Sequence, residues 1–208
     1  MRQVSVTALA AFVVSAALAL SSCRVDRPPV GGEIEQDLAA ATAALDVARV
    51  RQLLASGADP NKMVKYEGLY HAPWEIALKQ VRPRRPELVE IVHIMLKAGA
   101  NPERAWGESV ARGITRRYPR EPMMLAMLHP EPDVVRALME AGLNPRHGQT
   151  ALVMAIESGD VDVAYVLVDA GVDVNCHPGA LTPLVAAIEA RNVALMTYLE
   201  AHGAREKP

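Results

Sequence analysis

One phrase recurs along this chain and limits what the chain can fold into. Val50-Arg-Gln-Leu-Leu-Ala-Ser-Gly-Ala-Asp-Pro-Asn61 returns as Val92-His-Ile-Met-Leu-Lys-Ala-Gly-Ala-Asn-Pro-Glu103, as Val135-Arg-Ala-Leu-Met-Glu-Ala-Gly-Leu-Asn-Pro-Arg146 and as Tyr165-Val-Leu-Val-Asp-Ala-Gly-Val-Asp-Val-Asn175. A fifth, worn copy ends at Gly203. Each copy reads as an amphipathic helix stopped by Gly57, Gly99, Gly142, Gly171 or Gly203, where a residue tolerant of positive φ closes the last turn and turns the chain outward. Self-similarity of this kind is the mark of a stacked repeat architecture, in which one unit cannot bury its own apolar face and needs its neighbours.

A second phrase precedes the later copies: Ala72-Pro73-Trp74-Glu75-Ile76-Ala77, Glu121-Pro122-Met123-Met124-Leu125-Ala126, Thr150-Ala151-Leu152-Val153-Met154-Ala155 and Thr182-Pro183-Leu184-Val185-Ala186-Ala187. Proline suits the first helical position because its missing N–H would be unsatisfied there anyway, and alanine in the interior lets helices approach closely. These openings resemble the Thr-Pro-Leu-His-x-Ala start of the ankyrin repeat. The resemblance covers roughly residues 33–206 as five repeats and implies an all-α solenoid of helix-turn-helix units.

The spacing departs from that family. Successive glycines are 42, 43, 29 and 32 residues apart, against a usual period of about 33. The surplus falls in Lys62 to His71, Arg82 to Pro86 and Arg104 to Arg120, which the stacking argument pushes to exposed loops. By the resemblance, the first and last of these occupy finger positions, where ankyrin relatives line a concave surface that grips partners.

The N-terminus reads as an address. One arginine, an uncharged run from Val4 to Leu20 and then small residues have the layout of a secretory signal peptide over residues 1–22. An uncleaved membrane anchor is the alternative for a stretch of this length. Leu20-Ser21-Ser22-Cys23 resembles the bacterial lipobox, which implies a lipid on Cys23 and a mature chain that starts there. Acyl chains contribute about 0.8 kcal/mol per buried CH₂, so two or more anchor a protein stably. Arg24 directly after Cys23, by resemblance to envelope sorting in Gram-negative cells, implies the outer membrane. Residues 24–32, with Pro28-Pro29 and Gly31-Gly32, read as a short tether, leaving 33–208 as the repeat domain.

Removing Cys23 leaves Cys176 alone, so no intramolecular disulfide is available, and a lone cysteine is most often a small inert apolar residue. Chemistry is sparse. Gly107-Glu108-Ser109-Val110-Ala111 lacks one glycine and the preceding strand of a serine-hydrolase elbow. Cys176-His177 and the scattered histidines form no metal-ligand spacing, and no phosphate-cradling glycine motif occurs, so neither metal nor cofactor is expected. Ser158-Gly159-Asp160-Val161-Asp162 lacks the remaining ligands of a calcium loop, and Asp160 and Asp162 are expected to cap the following helix.

What remains is basic and aromatic: Tyr66, Tyr70, His71, Trp74, Trp106, Arg116, Arg117 and Tyr118, in and beside the insertions. Tyr, Trp and Arg most often carry interface energy, so these residues form the candidate partner-binding patch. Trp74 can equally fill an inner-helix core position, and the arginines a solvated face. Charge is polarised, with twelve Lys and Arg against seven Asp and Glu over residues 62–121 and five against eleven over 122–208. The formal net charge of −2 is too small to drive nucleic-acid binding by field alone.

The expectation is a non-catalytic module of the bacterial envelope that binds a protein partner, with no small-molecule substrate. A sharper version is an immunity-type inhibitor of an envelope-acting toxin. The rival readings are an envelope hydrolase using Ser109 and a structural part of an envelope complex.

Overall fold

The computed structural model describes residues 30–79, 85–103, 105–111, 114–128, 130–177, 179 and 181–205, the second of its hairpins at backbone level. The signal-peptide reading of residues 1–22, Cys23, the tether to Pro29 and the insertion at Arg82 lie outside the described residues. Among the described residues ten α-helices follow in chain order: α1 Glu33–Ala43, α2 Val47–Ala55, α3 Pro73–Lys79, α4 Pro86–Lys97, α5 Pro122–Ala126, α6 Pro132–Glu140, α7 Gly148–Ser158, α8 Val161–Asp169, α9 Pro183–Glu189 and α10 Val193–Ala201. None of the described helices is long and apolar enough to cross a membrane.

The helices stack in two layers. The first helices pack in sequence, α1 on α3, α3 on α5, α5 on α7 and α7 on α9, while the second helices pack α2 on α4, α4 on α6 and α6 on α8. Five pairs follow one another, as the repeated phrases require. Their seams are filled by aliphatic residues such as Leu38, Val92, Leu138 and Leu167, all nearly or fully buried. Alanines from the second phrase, Ala77, Ala126, Ala155 and Ala187, are also buried, which lets the first helices approach closely.

Local signals set the helix ends. Pro86, Pro122, Pro132 and Pro183 open their helices. The Asp46 carboxylate accepts the Arg49 N–H at 2.9 Å, the Thr182 hydroxyl the Val185 N–H at 3.2 Å and the Asn192 carbonyl the Leu195 N–H at 3.0 Å. Asp160 does occupy the N-cap position of α8, but its side chain accepts no cap hydrogen bond, and Asp162 lies inside the first turn, so that expected capping is corrected. Each second helix ends at a glycine of positive φ, 94° at Gly57, 93° at Gly99 and Gly142, 83° at Gly171 and 90° at Gly203.

Beyond those glycines the repeats are laced by backbone-directed side chains. Asn61 donates to the Gly99 carbonyl and accepts the Asn101 N–H, both at 2.8 Å, and Asn175 donates to the Gly203 carbonyl and accepts the Arg205 N–H, both at 3.0 Å. At the intervening position Glu103 accepts the Asn144 N–H.

The start of the domain is pinned more firmly than a free tether would be. Val30 bridges to Met63 and the Gly31 N–H donates to the Met63 carbonyl at 2.9 Å. A Cβ on Gly31 would meet Glu35 Cβ at 2.7 Å, which explains the glycine. Buried Glu35 gathers the Gly32 N–H at 2.7 Å, the Asp59 N–H at 3.4 Å and the Lys62 ammonium at 3.2 Å. Burial pushes its carboxyl upward, but these donors outweigh burial and hold it below the ordinary glutamate value.

Candidate functional site

Two of the three insertions expected as loops, Lys62 to His71 and Arg104 to Arg120, carry antiparallel β-hairpins. The first joins β1 Val64–Tyr66 to β2 Leu69–His71, and the second joins β3 Ala105–Ala111 to β4 Ile114–Arg120. The first turns through Glu67 at φ 50° and Gly68 at φ 83°, the pair of positive φ angles that a two-residue hairpin turn needs. Val64 opposes His71, Lys65 opposes Tyr70 and Tyr66 opposes Leu69. In β3 and β4, Trp106 opposes Pro119, Gly107 Tyr118, Glu108 Arg117 and Ser109 Arg116. The two hairpins are neighbours, with β2 beside β3.

The candidate patch therefore divides. Tyr66 and Tyr70 are half-buried on opposite faces of the first hairpin, Tyr66 packed against the buried Val64 and Ile76 and Tyr70 opposite exposed Lys65. Trp106, Arg116, Arg117 and Tyr118 stand on the strands of the second hairpin, at the register positions given above. Trp74 is 1 % exposed and packs in the core, and His71 is 4 % exposed, so both are placed below the surface rather than on it. The repeat phrase explains Trp74: it occupies the place of Met123, Leu152 and Leu184, which are all buried. His71 lies with its ring nitrogens 2.9 and 3.1 Å from the Lys79 ammonium, one turn beyond fully buried Glu75.

Sequence reasoning missed the device that holds the second hairpin at its roots. Glu103 precedes β3 and Glu121 follows β4; His147, from the 3₁₀ turn Pro145–His147 of the next repeat, places Nε2 3.2 Å from Glu103 and Nδ1 3.7 Å from Glu121. Glu103 also accepts the Asn144 N–H. One imidazole and one backbone amide of the next repeat thus engage both acids that frame the hairpin. No local motif announces contacts across some forty residues; only the recurring Asn-Pro phrase hints that positions 103 and 144 meet.

Away from the hairpins, the outer face carries a shallow groove of about 540 Å³ across α2, α4 and α6, lined by Arg51, Val89, Glu90, His93, Lys97 and Asp133. Its most prominent pair, Arg51 and Glu90 at 2.6 Å, is half exposed and self-neutralising. Farther along this face the Tyr165 and Tyr198 rings meet edge-on at 4.6 Å, and the Tyr198 hydroxyl donates to Asp169, an interaction that pushes that phenol up to about 12.

Ser109 lies within β3, opposite Arg116, and not on a strand-to-helix turn. Cys176 is 4 % exposed, and burial, followed by the nearby charge of Asp173, pushes its thiol up to about 11, so it remains protonated at neutral pH. Among the described residues no three His, Cys, Asp or Glu side chains converge as a metal site would require.

Residues 81–178 match the family model for ankyrin repeats, in three copies. The matched stretch runs from the second helix of the second repeat through the fourth, and α1 to α3, α9 and α10 continue the same pairing on either side. No curated protein matches the chain.

Proposed function

We propose that the chain is a protein–protein interaction module of the bacterial envelope, built on its ankyrin-type repeats and held at a membrane by lipid on Cys23. Its partner is a protein gripped on the side of the stack where the two hairpins stand. The observation that carries this reading is the juxtaposition of those hairpins. Among the described residues only the first two inter-repeat junctions carry hairpins, these lie side by side, and between them they bring Tyr66, Tyr70, Trp106, Arg116, Arg117 and Tyr118 to one region. Aromatic and arginine side chains bury large areas with few rotors and keep a polar handle, which suits an interface centre.

The lipid reading rests on the Leu-Ser-Ser-Cys sequence ending at Cys23 and on the pinned exit of the chain at Val30. Six residues separate the two, seven Cα-to-Cα steps with a reach of at most about 25 Å. The module would therefore work close to the bilayer, with its first hairpin at the root of the tether, on the periplasmic face of the outer membrane. Within this reading an immunity role against an envelope-acting toxin is the sharper form: a toxin gene beside this one supports it, and a deletion strain that resists the toxin removes it.

The test is capture from envelope extracts with the full chain in detergent, beside a variant carrying Trp106→Ala, Arg116→Ala and Arg117→Ala whose helicity is confirmed. One protein held by the parent and lost by the variant is the expected result. Equal capture by both moves the site elsewhere on the stack, and no capture at all removes the module reading. In the same cells, Cys23→Ser is expected to abolish incorporation of a labelled fatty acid; incorporation that persists removes the anchor.

A further inference from the structure

The second hairpin has a charge pattern that the first lacks. From Arg104 to Arg120 it holds five arginines and a single acid, Glu108. Alternate residues of a strand share a face, so the register sorts these residues into two rows. Arg116, Tyr118 and Arg120 form one row, opposed by Ser109, Gly107 and Ala105, three of the smallest residues available. The other row sets Trp106 against Pro119, Glu108 against Arg117 and Val110 against Thr115. The single acid thus stands opposite Arg117 in the register, and the Arg116-Tyr118-Arg120 row contains no acid.

The acids at the hairpin roots are occupied elsewhere. Glu103 meets His147 and the Asn144 N–H, and Glu121 meets His147. Two guanidinium-bearing positions therefore stand about 13 Å apart along β4 with a tyrosine midway, since each second residue of a strand advances about 6.6 Å. Guanidinium groups match carboxylates in a two-pronged geometry, and arginine sheds its water more readily than lysine, so such a row suits burial against fixed carboxylates.

We propose that the Arg116-Tyr118-Arg120 face of the second hairpin binds an acidic, extended segment of a partner protein, whose carboxylates lie on one face and include a pair four residues apart, matching Arg116 and Arg120. This rests on the binding-module reading and names the chemistry of the partner. The interleaved tyrosine and the absence of lysine from the hairpin favour a protein over an anionic lipid surface, where flexible lysines serve equally well.

The test uses the full chain in detergent and a fluorescent peptide with glutamate at every second position, beside a peptide of the same composition with its glutamates contiguous. Fluorescence polarisation is expected to give tighter binding of the alternating peptide. Arg116→Ala with Arg120→Ala should weaken it at least about ten-fold, since charge-assisted contacts are removed at both ends of the row. Arg136→Ala removes an exposed arginine of α6, in the layer of second helices and outside the hairpins, and should change affinity less than about two-fold. Equal losses in the two variants, or no preference between the peptides, overturn the row assignment. Binding to phosphatidylglycerol vesicles but not to either peptide overturns the protein partner in favour of lipid. Self-association at low salt that the double variant abolishes assigns the face to a second copy. Capture of a natural partner that survives Arg116→Ala with Arg120→Ala leaves the binding module standing and removes this face alone.

Discussion

The junctions after the first and second repeats carry hairpins and, among the described residues, those after the third and fourth do not, yet the first and the fourth are laced in the same way. Asn61 at an extended junction and Asn175 at a plain one each donate to a glycine carbonyl and accept an N–H two residues further on, at 2.8 and 3.0 Å respectively. The hairpins are therefore added outside a stack that closes without them. Stability resides in what the repeats share, and the proposed recognition chemistry is assigned to where they differ. The comparison also separates two places where aromatic residues sit: Tyr66 and Tyr70 belong to an addition, Trp74 to the shared core.

Removing Trp74 tests that separation most strongly. Trp74→Ala in the extended half, like Leu152→Ala at the equivalent buried place in the plain half, creates a cavity costing about 3–5 and 2–5 kcal/mol respectively. Urea unfolding followed by circular dichroism is the measurement. A Trp74→Ala protein of nearly parental stability that fails to capture its partner would return Trp74 to the interface.

How much of this was legible in sequence follows from the same contrast. The five helix pairs and their closing glycines could be read directly, because each is dictated by short-range patterning repeated five times. Trp74 could have been placed correctly by aligning it with Met123, Leu152 and Leu184 instead of grouping it with nearby aromatics. The hairpins carried a signal too, Glu67-Gly68 between Tyr66 and Leu69, but it occurs once and was outweighed by the expectation that insertions are loops. His147 gave none, since its partners Glu103 and Glu121 come to it only through the stacking of successive repeats.

A smaller effect is expected where the extended half begins. Glu35 is held below the ordinary glutamate value in the folded chain, so its contribution is fully present above the value of an unfolded glutamate and is lost as pH falls through the lowered folded value. Glu35→Gln removes the charge from its contacts with Gly32, Asp59 and Lys62, and should cost about 1.5 kcal/mol near neutrality. The gap between parent and variant should narrow on acidification below about pH 4.5, at the unfolded glutamate value. Parallel stability curves from pH 7 to pH 3 would mean that the cluster is held by packing and not by charge.

The smallest effect is expected within the plain half, at the turn between paired helices. Repeat four places Gly159 there at φ 81°, whereas the same place in repeat five holds Arg191 at φ 54°. Both backbones are left-handed, a conformation that costs a residue with a Cβ roughly 1–2 kcal/mol and glycine almost nothing, while glycine gives back about 0.5–1 kcal/mol through the freedom of its unfolded chain. Arg191→Gly should therefore stabilise the protein by about 0.5 kcal/mol, and Gly159→Arg should destabilise it by a similar amount, both read from urea midpoints at constant slope. The two changes test one backbone requirement at equivalent positions, so they should be opposite in sign. If both destabilise, the Arg191 side chain contributes packing or charge that glycine lacks, and the two turns are equivalent in shape but not in what holds them.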